Sequence, residues 1–220
     1  MINAFEDLSN VFLDIINYCH NIVTNQEVKY TVERKCLYSY TTNMNFVHDF
    51  TFGTANETLN TFIEISKGSM HKIEYNTKDG IFILDRVEPE IFAKPVNYGF
   101  IPQTWDEDND PLDTLVITSE ALPTGVMVKA KVIGVLNFID GGEPDHKVIC
   151  VPEDDRNDGN TINDINDLSE VWKNKLVHHF THYKDLKKPD TTKVEGWGNK
   201  DEAWKLILEC NRRYSEKFSK

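Results

Sequence analysis

Between residues 60 and 152 the chain consists largely of short runs rich in β-forming residues: "TFIEI", "HKIEYN", "GIFILD", "DTLVIT", the long "VMVKAKVIGVLNFID" and "KVICVP". Closely spaced short strands of this kind predict a small barrel rather than a parallel sheet. The "TKDG" between the second and third runs suits a hairpin turn. Two helices follow. Asp167 with Glu170, and Asn199 with Glu202, form capping-box starts, with Leu168, Val171, Trp172 and then Ala203, Leu206, Ile207 on apolar faces. The expected class is mainly β with flanking helices, α+β.

The first sixty residues follow another pattern. Phe5, Leu8, Val11, Phe12, Ile15, Ile16, Cys19, Ile22 and Val23 recur at helical spacing and predict an amphipathic helix over about residues 4–24. A β-like stretch, "NQEVKYTVERKCLYSYTT", follows and dissolves into the polar "GTANETLN". A boundary near residue 60 divides a helical/β extension, 1–60, from the main domain, 61–220.

With 220 residues, 40% hydrophobic and 11% aromatic, the chain can build one core, with or without an appendage. A net charge of −12 excludes a general attraction to nucleic acid or anionic lipid, so anionic ligands would need metal ions or focused Lys and Arg. Cys19, Cys36, Cys150 and Cys210 are scattered without CxxC spacing and read as reduced thiols. No apolar run approaches the roughly 18 residues of a membrane span, and Glu6 and Asp7 stand where a targeting peptide would carry basic charge. The expectation is a soluble, cytoplasmic protein with no membrane or nucleic-acid partner.

Chemistry concentrates in "TWDEDNDPLD", Thr104 to Asp113, with five acidic residues in eight positions. An EF-hand starting at Asp106 fails, because Pro111 and Ile117 stand where Gly and Glu are required. A solvated acidic loop and a metal site both remain open. In extended chain Asp108 and Asp110 share a face, and Asp113 reaches back beyond the proline; three hard oxygen donors favour Mg²⁺ over zinc. A second cluster, Asp140, Glu143, Asp145 and Lys147, is either a hairpin turn or the other half of a metal site. Lys72, Arg86, Tyr98, Tyr183 and Lys184 are surface groups or phosphate-binding groups. His178 and His182 lie one helical turn apart, but "HHFTH" lacks the Glu of HExxH, which favours a structural or surface role over zinc.

These residues resemble a known family. Asp108, Asn109, Asp110, Pro111, Leu112 and Asp113 match the signature of soluble family I inorganic pyrophosphatases, with Thr114 alone outside it. "FIEISKGSMHKIEYN", "ILDRV", "PVNYGFIPQTW", "GVLNFIDGGEPDHKVICVP", "HFTHYKDL" and "KVEGW" continue the similarity in family order over about residues 60–215. The resemblance implies an OB-like five-stranded barrel that hydrolyses inorganic diphosphate to two phosphates with several Mg²⁺ ions, and a homo-oligomer. By the same resemblance, Asp108, Asp113 and Asp145 are metal ligands, Asp140 and Glu74 serve further ions, and Asp110 takes a proton from the nucleophilic water. Lys72, Arg86, Tyr98, Lys147, Tyr183 and Lys184 grip the phosphates, and Glu64 is a supporting acid. The sequence departs from the family at Lys94, where many members carry Tyr, at Gly141, often acidic, and in the extension. The alternatives are a related Mg-dependent phosphoanhydride hydrolase acting on nucleotide or polyphosphate, and a non-enzymatic OB-type binding module. The acidic charge and the lack of a basic aromatic face oppose the latter.

Overall fold

A computed structural model describes residues 44–157 and 159–218, which lie in one compact unit, 44–220. The helix expected over about 4–24 and the β-like stretch after it lie outside the described residues. Strands run β1 (Gly53–Thr54), β2 (Thr58–Ile65), β3 (His71–Asn76), β4 (Ile81–Val87), β5 (Asn97–Phe100), β6 (Asp113–Val116), β7 (Met127–Asp140), β8 (Glu143–Pro144), β9 (Lys147–Pro152) and β10 (Thr192–Gly198). Helices α1 (Glu170–His182) and α2 (Lys200–Phe218) flank them.

Five strands close a ring. The order β2-β5-β6-β9-β7 returns on itself because β7 also pairs with β2. The β6–β9 pair is parallel and the other ring pairs are antiparallel. This is the expected OB-like barrel of a mainly β protein, with β3 and β4 forming a separate two-stranded ribbon across the "TKDG" turn.

The length of β7 makes closure possible, and Gly134 makes the length usable. A register shift between Val132 and Gly134 bends the strand, so that its first part pairs with β2 and its last with β10. The parity of its side chains changes there. Ala130 and Val132 enter one core, under α2 residues Ala203, Trp204 and Ile207, as Val135 does after the shift. Leu136 and Phe138 enter the other, against Leu176 and Phe180 of α1. In the regular β9, Val148 and Cys150 serve the first core while Ile149 and Val151 serve the second, the simple period of two.

Helix starts partly differ from expectation. Asn199 and Glu202 exchange backbone-to-side-chain hydrogen bonds of 2.7 and 3.0 Å, as the capping box predicts. At α1 the cap is Ser169, while Asp167 closes a box with Asp164 around a short 3₁₀ turn, and Val171 is exposed. The spacing of Asp167 and Glu170 suited a box, but the chain makes an extra turn before the helix.

Residues 44–54, on the extension side of the expected boundary, contribute to a third core. Val47 is buried with Phe62, Tyr75 and Phe100, and Phe46 stacks on Phe62 at 4.5 Å and on Tyr75 at 5.3 Å.

A Cβ at Gly134 would meet the Gly198 carbonyl oxygen at 2.6 Å and Ile165 Cβ at 2.9 Å. We expect Gly134→Ala to cost about 1–3 kcal/mol as overpacking, read as a lower urea midpoint at an unchanged slope.

Candidate active site

The acidic loop owes its shape to a turn rather than to extended chain. Asp106 N–H donates to the Asp110 carbonyl at 2.8 Å, and Asn109 adopts a left-handed backbone (φ 70°) that Asn tolerates well. Leu112 is buried and its N–H donates to Thr104 Oγ1 at 3.0 Å, which anchors the loop to the barrel. The five acids then divide. Arg213 of α2 holds Asp106 at 2.8 Å and Glu107 at 3.0 Å, leaving Asp108, Asp110 and Asp113 to line a cavity of about 510 Å³.

Every site residue named from the sequence lines this cavity: Glu64, Lys72, Glu74, Arg86, Tyr98, Asp108, Asp110, Asp113, Asp140, Asp145, Lys147, Tyr183 and Lys184. The two acidic clusters therefore meet at one end of the barrel. Gly141, the departure beside Asp140, is absent from the lining; its φ of 60° marks a turn position that suits glycine. His178 and His182 are also off the wall, their rings 4.9 Å apart and His182 Nδ1 2.8 Å from Asp185.

Most charges in the cavity are paired. Lys147, 3% exposed, bridges Asp113 and Asp145, and Tyr98 donates its hydroxyl hydrogen to Asp113. Lys184 and Tyr183 both donate to Asp140. On the ribbon, Lys72 pairs with Glu74, and Arg86 pairs with Asp85 and Glu88 at 2.5 Å each. Among the described residues no ammonium or guanidinium pairs with Asp108 or Asp110.

Titration follows that division. Burial, then the charges of Asp113 and Asp108, pushes Asp110 up to about 7; burial, then Asp113 and Asp145, brings Asp108 to about 6. Burial and Asp113 raise Glu64 to about 8, against the Tyr75 N–H it accepts at 2.7 Å. Burial also acts to raise Asp140, but the hydrogen bonds from Lys184 and Tyr183 outweigh it and hold Asp140 low. Lys147 is raised because its two carboxylates overcome the effect of burial.

Among the described residues no three His, Cys, Asp or Glu side chains are grouped closely enough to hold a metal ion by themselves, and Lys147 stands between Asp113 and Asp145. The donor set nevertheless suits a hard divalent cation. It is all carboxylate oxygen, and burial together with the charges of neighbouring carboxylates raises Asp108 and Asp110, which no ammonium or guanidinium among the described residues pairs.

Sequence reasoning did not include Lys94 among the site residues, yet it lines the cavity, as do Glu88, Phe180 and the rim lysines Lys187 and Lys188. The Lys94 ammonium lies over the rings of Tyr98 at 4.7 Å, Tyr183 at 5.1 Å and Phe180 at 5.6 Å. The departure from Tyr was the one signal in the sequence.

A family model described as inorganic pyrophosphatase matches residues 61–215. An inorganic pyrophosphatase of Neisseria meningitidis serogroup B is 55% identical over 158 residues, 72% of this chain and 89% of the relative. One from Sulfolobus acidocaldarius is 41% identical over 162 residues, 73% of this chain and 94% of the relative. The crystal structure of an inorganic pyrophosphatase from Neisseria gonorrhoeae superposes with a TM-score of 0.74 at 53% identity, covering 76% of this chain and 96% of that one. That from Thermus thermophilus superposes at 0.73 with 38% identity, covering 78% and 99%.

Behind the cavity wall, His179 of α1 is buried, stacks on Tyr183 at 5.7 Å, and leaves Nε2 without a hydrogen-bond partner among the described residues. Burial, then the charges of Lys94 and His178, lowers it from 6.5 to about 3. Above pH 6.5 the folded and unfolded chains both hold it neutral. Below that the unfolded chain takes up a proton that the folded one refuses, so stability from this group is lost as pH falls from about 6.5 toward about 3. We expect His179→Gln, which cannot take up that proton, to flatten the decline of the urea midpoint with falling pH below 6.5 relative to the parent.

Proposed function

This chain belongs to the inorganic pyrophosphatase family, and from that premise we propose how its cavity performs the reaction. The chain is an inorganic diphosphatase: it hydrolyses inorganic diphosphate to two phosphates and requires a divalent metal. The observation that carries the site reading is the convergence of all the motif residues on one cavity, from strands β2 to β9 and the segment after α1.

Diphosphate carries several negative charges, and a water cannot approach phosphorus until they are offset. Lys72 and Arg86 on the ribbon, and Tyr98, Lys147, Tyr183 and Lys184 on the barrel side, are our assigned phosphate-gripping groups. Arg86 offers a planar fork for two oxygens, and the lysines act as point charges. Asp108, Asp113 and Asp145 would hold Mg²⁺, with Asp140 and Glu74 serving further ions, and Mg²⁺ when bound offsets phosphate charge and acidifies water.

We assign the general base to Asp110. It faces the cavity and among the described residues has no ion-pair partner, so it is open to a water, whereas Lys147 occupies one oxygen each of Asp113 and Asp145, which leaves their other oxygens for a metal. As the water oxygen bonds to one phosphorus, its proton passes to Asp110, the bridging P–O bond breaks, and the bridging oxygen leaves with the second phosphate. Glu64, supported by the Tyr75 N–H, backs this carboxylate cluster from the barrel wall.

A homo-oligomer is also proposed. Ile81, Ile83, Leu84 and Val87 of the ribbon and Ile91 beside it are exposed, apolar surface that suits burial against another copy. Among the described residues no helix is long and apolar enough to cross a membrane. A cytoplasmic location is proposed on the free, buried thiols of Cys150 and Cys210. Every assigned residue lies after residue 60, within the proposed catalytic domain 61–220. Nucleotide or polyphosphate hydrolysis and a non-enzymatic binding role are not favoured by relatives that are inorganic pyrophosphatases.

Two measurements test the reading. Phosphate release from diphosphate should require a divalent cation, with Mg²⁺ effective and the larger Ca²⁺ poor; full turnover in excess chelator would remove the metal mechanism. Asp110→Asn should lower kcat by about 10²–10⁴-fold while leaving Mg²⁺ affinity near that of the parent, and near-normal turnover at neutral pH would reassign the base.

A further inference from the structure

Lys94 follows a 3₁₀ turn, Glu90–Phe92, and precedes Pro95, which restricts its backbone to extended conformations. Both its backbone groups are engaged: its N–H donates to Ser69 O at 3.0 Å and its carbonyl accepts from Gly68 N–H at 2.7 Å. The side chain therefore enters the cavity from a fixed base, with its ammonium over Tyr98, Tyr183 and Phe180.

Lys94 differs from its neighbours in its partners. Lys72, Arg86, Lys147 and Lys184 each sit on a carboxylate, but among the described residues none forms an ion pair with Lys94. Its aromatic surroundings offset only part of the desolvation of a half-buried ammonium. The hydroxyls of Tyr98 and Tyr183 already donate to Asp113 and Asp140. On this wall the ammonium is thus the donor left for an incoming anion.

We propose that Lys94 is a further substrate-binding residue, whose ammonium donates to a phosphate oxygen of diphosphate and, after cleavage, of orthophosphate held on the aromatic wall. An unneutralised cation that is already positioned meets substrate charge without first giving up a carboxylate, which Lys72, Lys147 and Lys184 must do. The proposal rests on diphosphate occupying this cavity, so the test carries a control for that.

Lys94→Met keeps the aliphatic stem against the rings and removes the charge; Lys94→Arg keeps the charge. With saturating Mg²⁺, the Met variant should raise KM for diphosphate and the inhibition constant of orthophosphate about tenfold or more, the scale of one charge-assisted hydrogen bond, and Arg should recover most of both. A merely structural lysine would lower the melting temperature and leave the orthophosphate constant where it was, and that result in a folded Met variant overturns the proposal. Asp113→Asn is the control. If it loses turnover while Lys94→Met is silent, only the Lys94 assignment falls; if both turn over normally, the placement of diphosphate in this cavity falls with it. Should the Met variant not fold, the unaltered protein decides: imidodiphosphate with Mg²⁺ should protect Lys94 from amine acylation read by peptide mass spectrometry, and equal labelling with and without it overturns the proposal.

Discussion

The buried ammonium of Lys147 fixes the geometry on which the cavity depends. It projects from the first residue of β9 between Asp113, the first residue of β6, and Asp145, on the approach to β9. Strands β6 and β9 are the parallel pair of the ring, and Tyr98 on the adjacent β5 joins the same carboxylate. An ammonium taken out of water is costly unless its partners are well placed, and removing one partner typically costs about 3–5 kcal/mol. The ion triad thus ties the starts of β6 and β9 together, and the Tyr98 hydroxyl links β5 to it, which sets the spacing of carboxylates that the chemistry needs.

That arrangement leaves a specific imbalance. Carboxylates and cations lie in register around most of the wall, which keeps the cavity stable despite its charge. Among the groups without an ion-pair partner in the described residues are Asp108 and Asp110 on the acidic side and Lys94, held over the aromatic rings, on the basic side. A paired group contributes to folding but must exchange partners on binding. An unpaired group adds strain to the free protein and is already in place for the ligand, which is the preorganisation that binding and catalysis draw on.

Much of this was legible in the sequence, and the exceptions have physical reasons. The barrel showed as closely spaced alternating runs, and the Asn199–Glu202 cap as a pair of residue types at the right spacing. The parity change in β7 was hidden because Gly134 can bulge or simply continue a strand; its role comes from Gly198 and Ile165 packed against it, which are distant in sequence. The acidic run showed its chemistry but not its division, since Arg213, which draws Asp106 and Glu107 away, lies about a hundred residues later. Lys94 read as a departure from a pattern because the aromatic wall that receives it is assembled from β5 and the region of α1.

The ribbon explains why residues before 60 bear on the site. A two-stranded ribbon is marginal by itself, yet β3 and β4 carry Lys72, Glu74 and Arg86, a large share of the groups assigned to substrate and metal. Tyr75 fastens it to the barrel: its ring stacks on Phe100 at 5.4 Å and its N–H donates to Glu64. From the other side Phe46 stacks on Tyr75 and donates its N–H to the Tyr75 hydroxyl at 2.9 Å, and Asn45 Nδ2 donates to Thr77 O at 2.7 Å. Residues 44–50 thus close over the same aromatic cluster that positions the ribbon. The position of Lys72 and Arg86 therefore depends in part on packing contributed by a segment that holds none of the assigned catalytic groups.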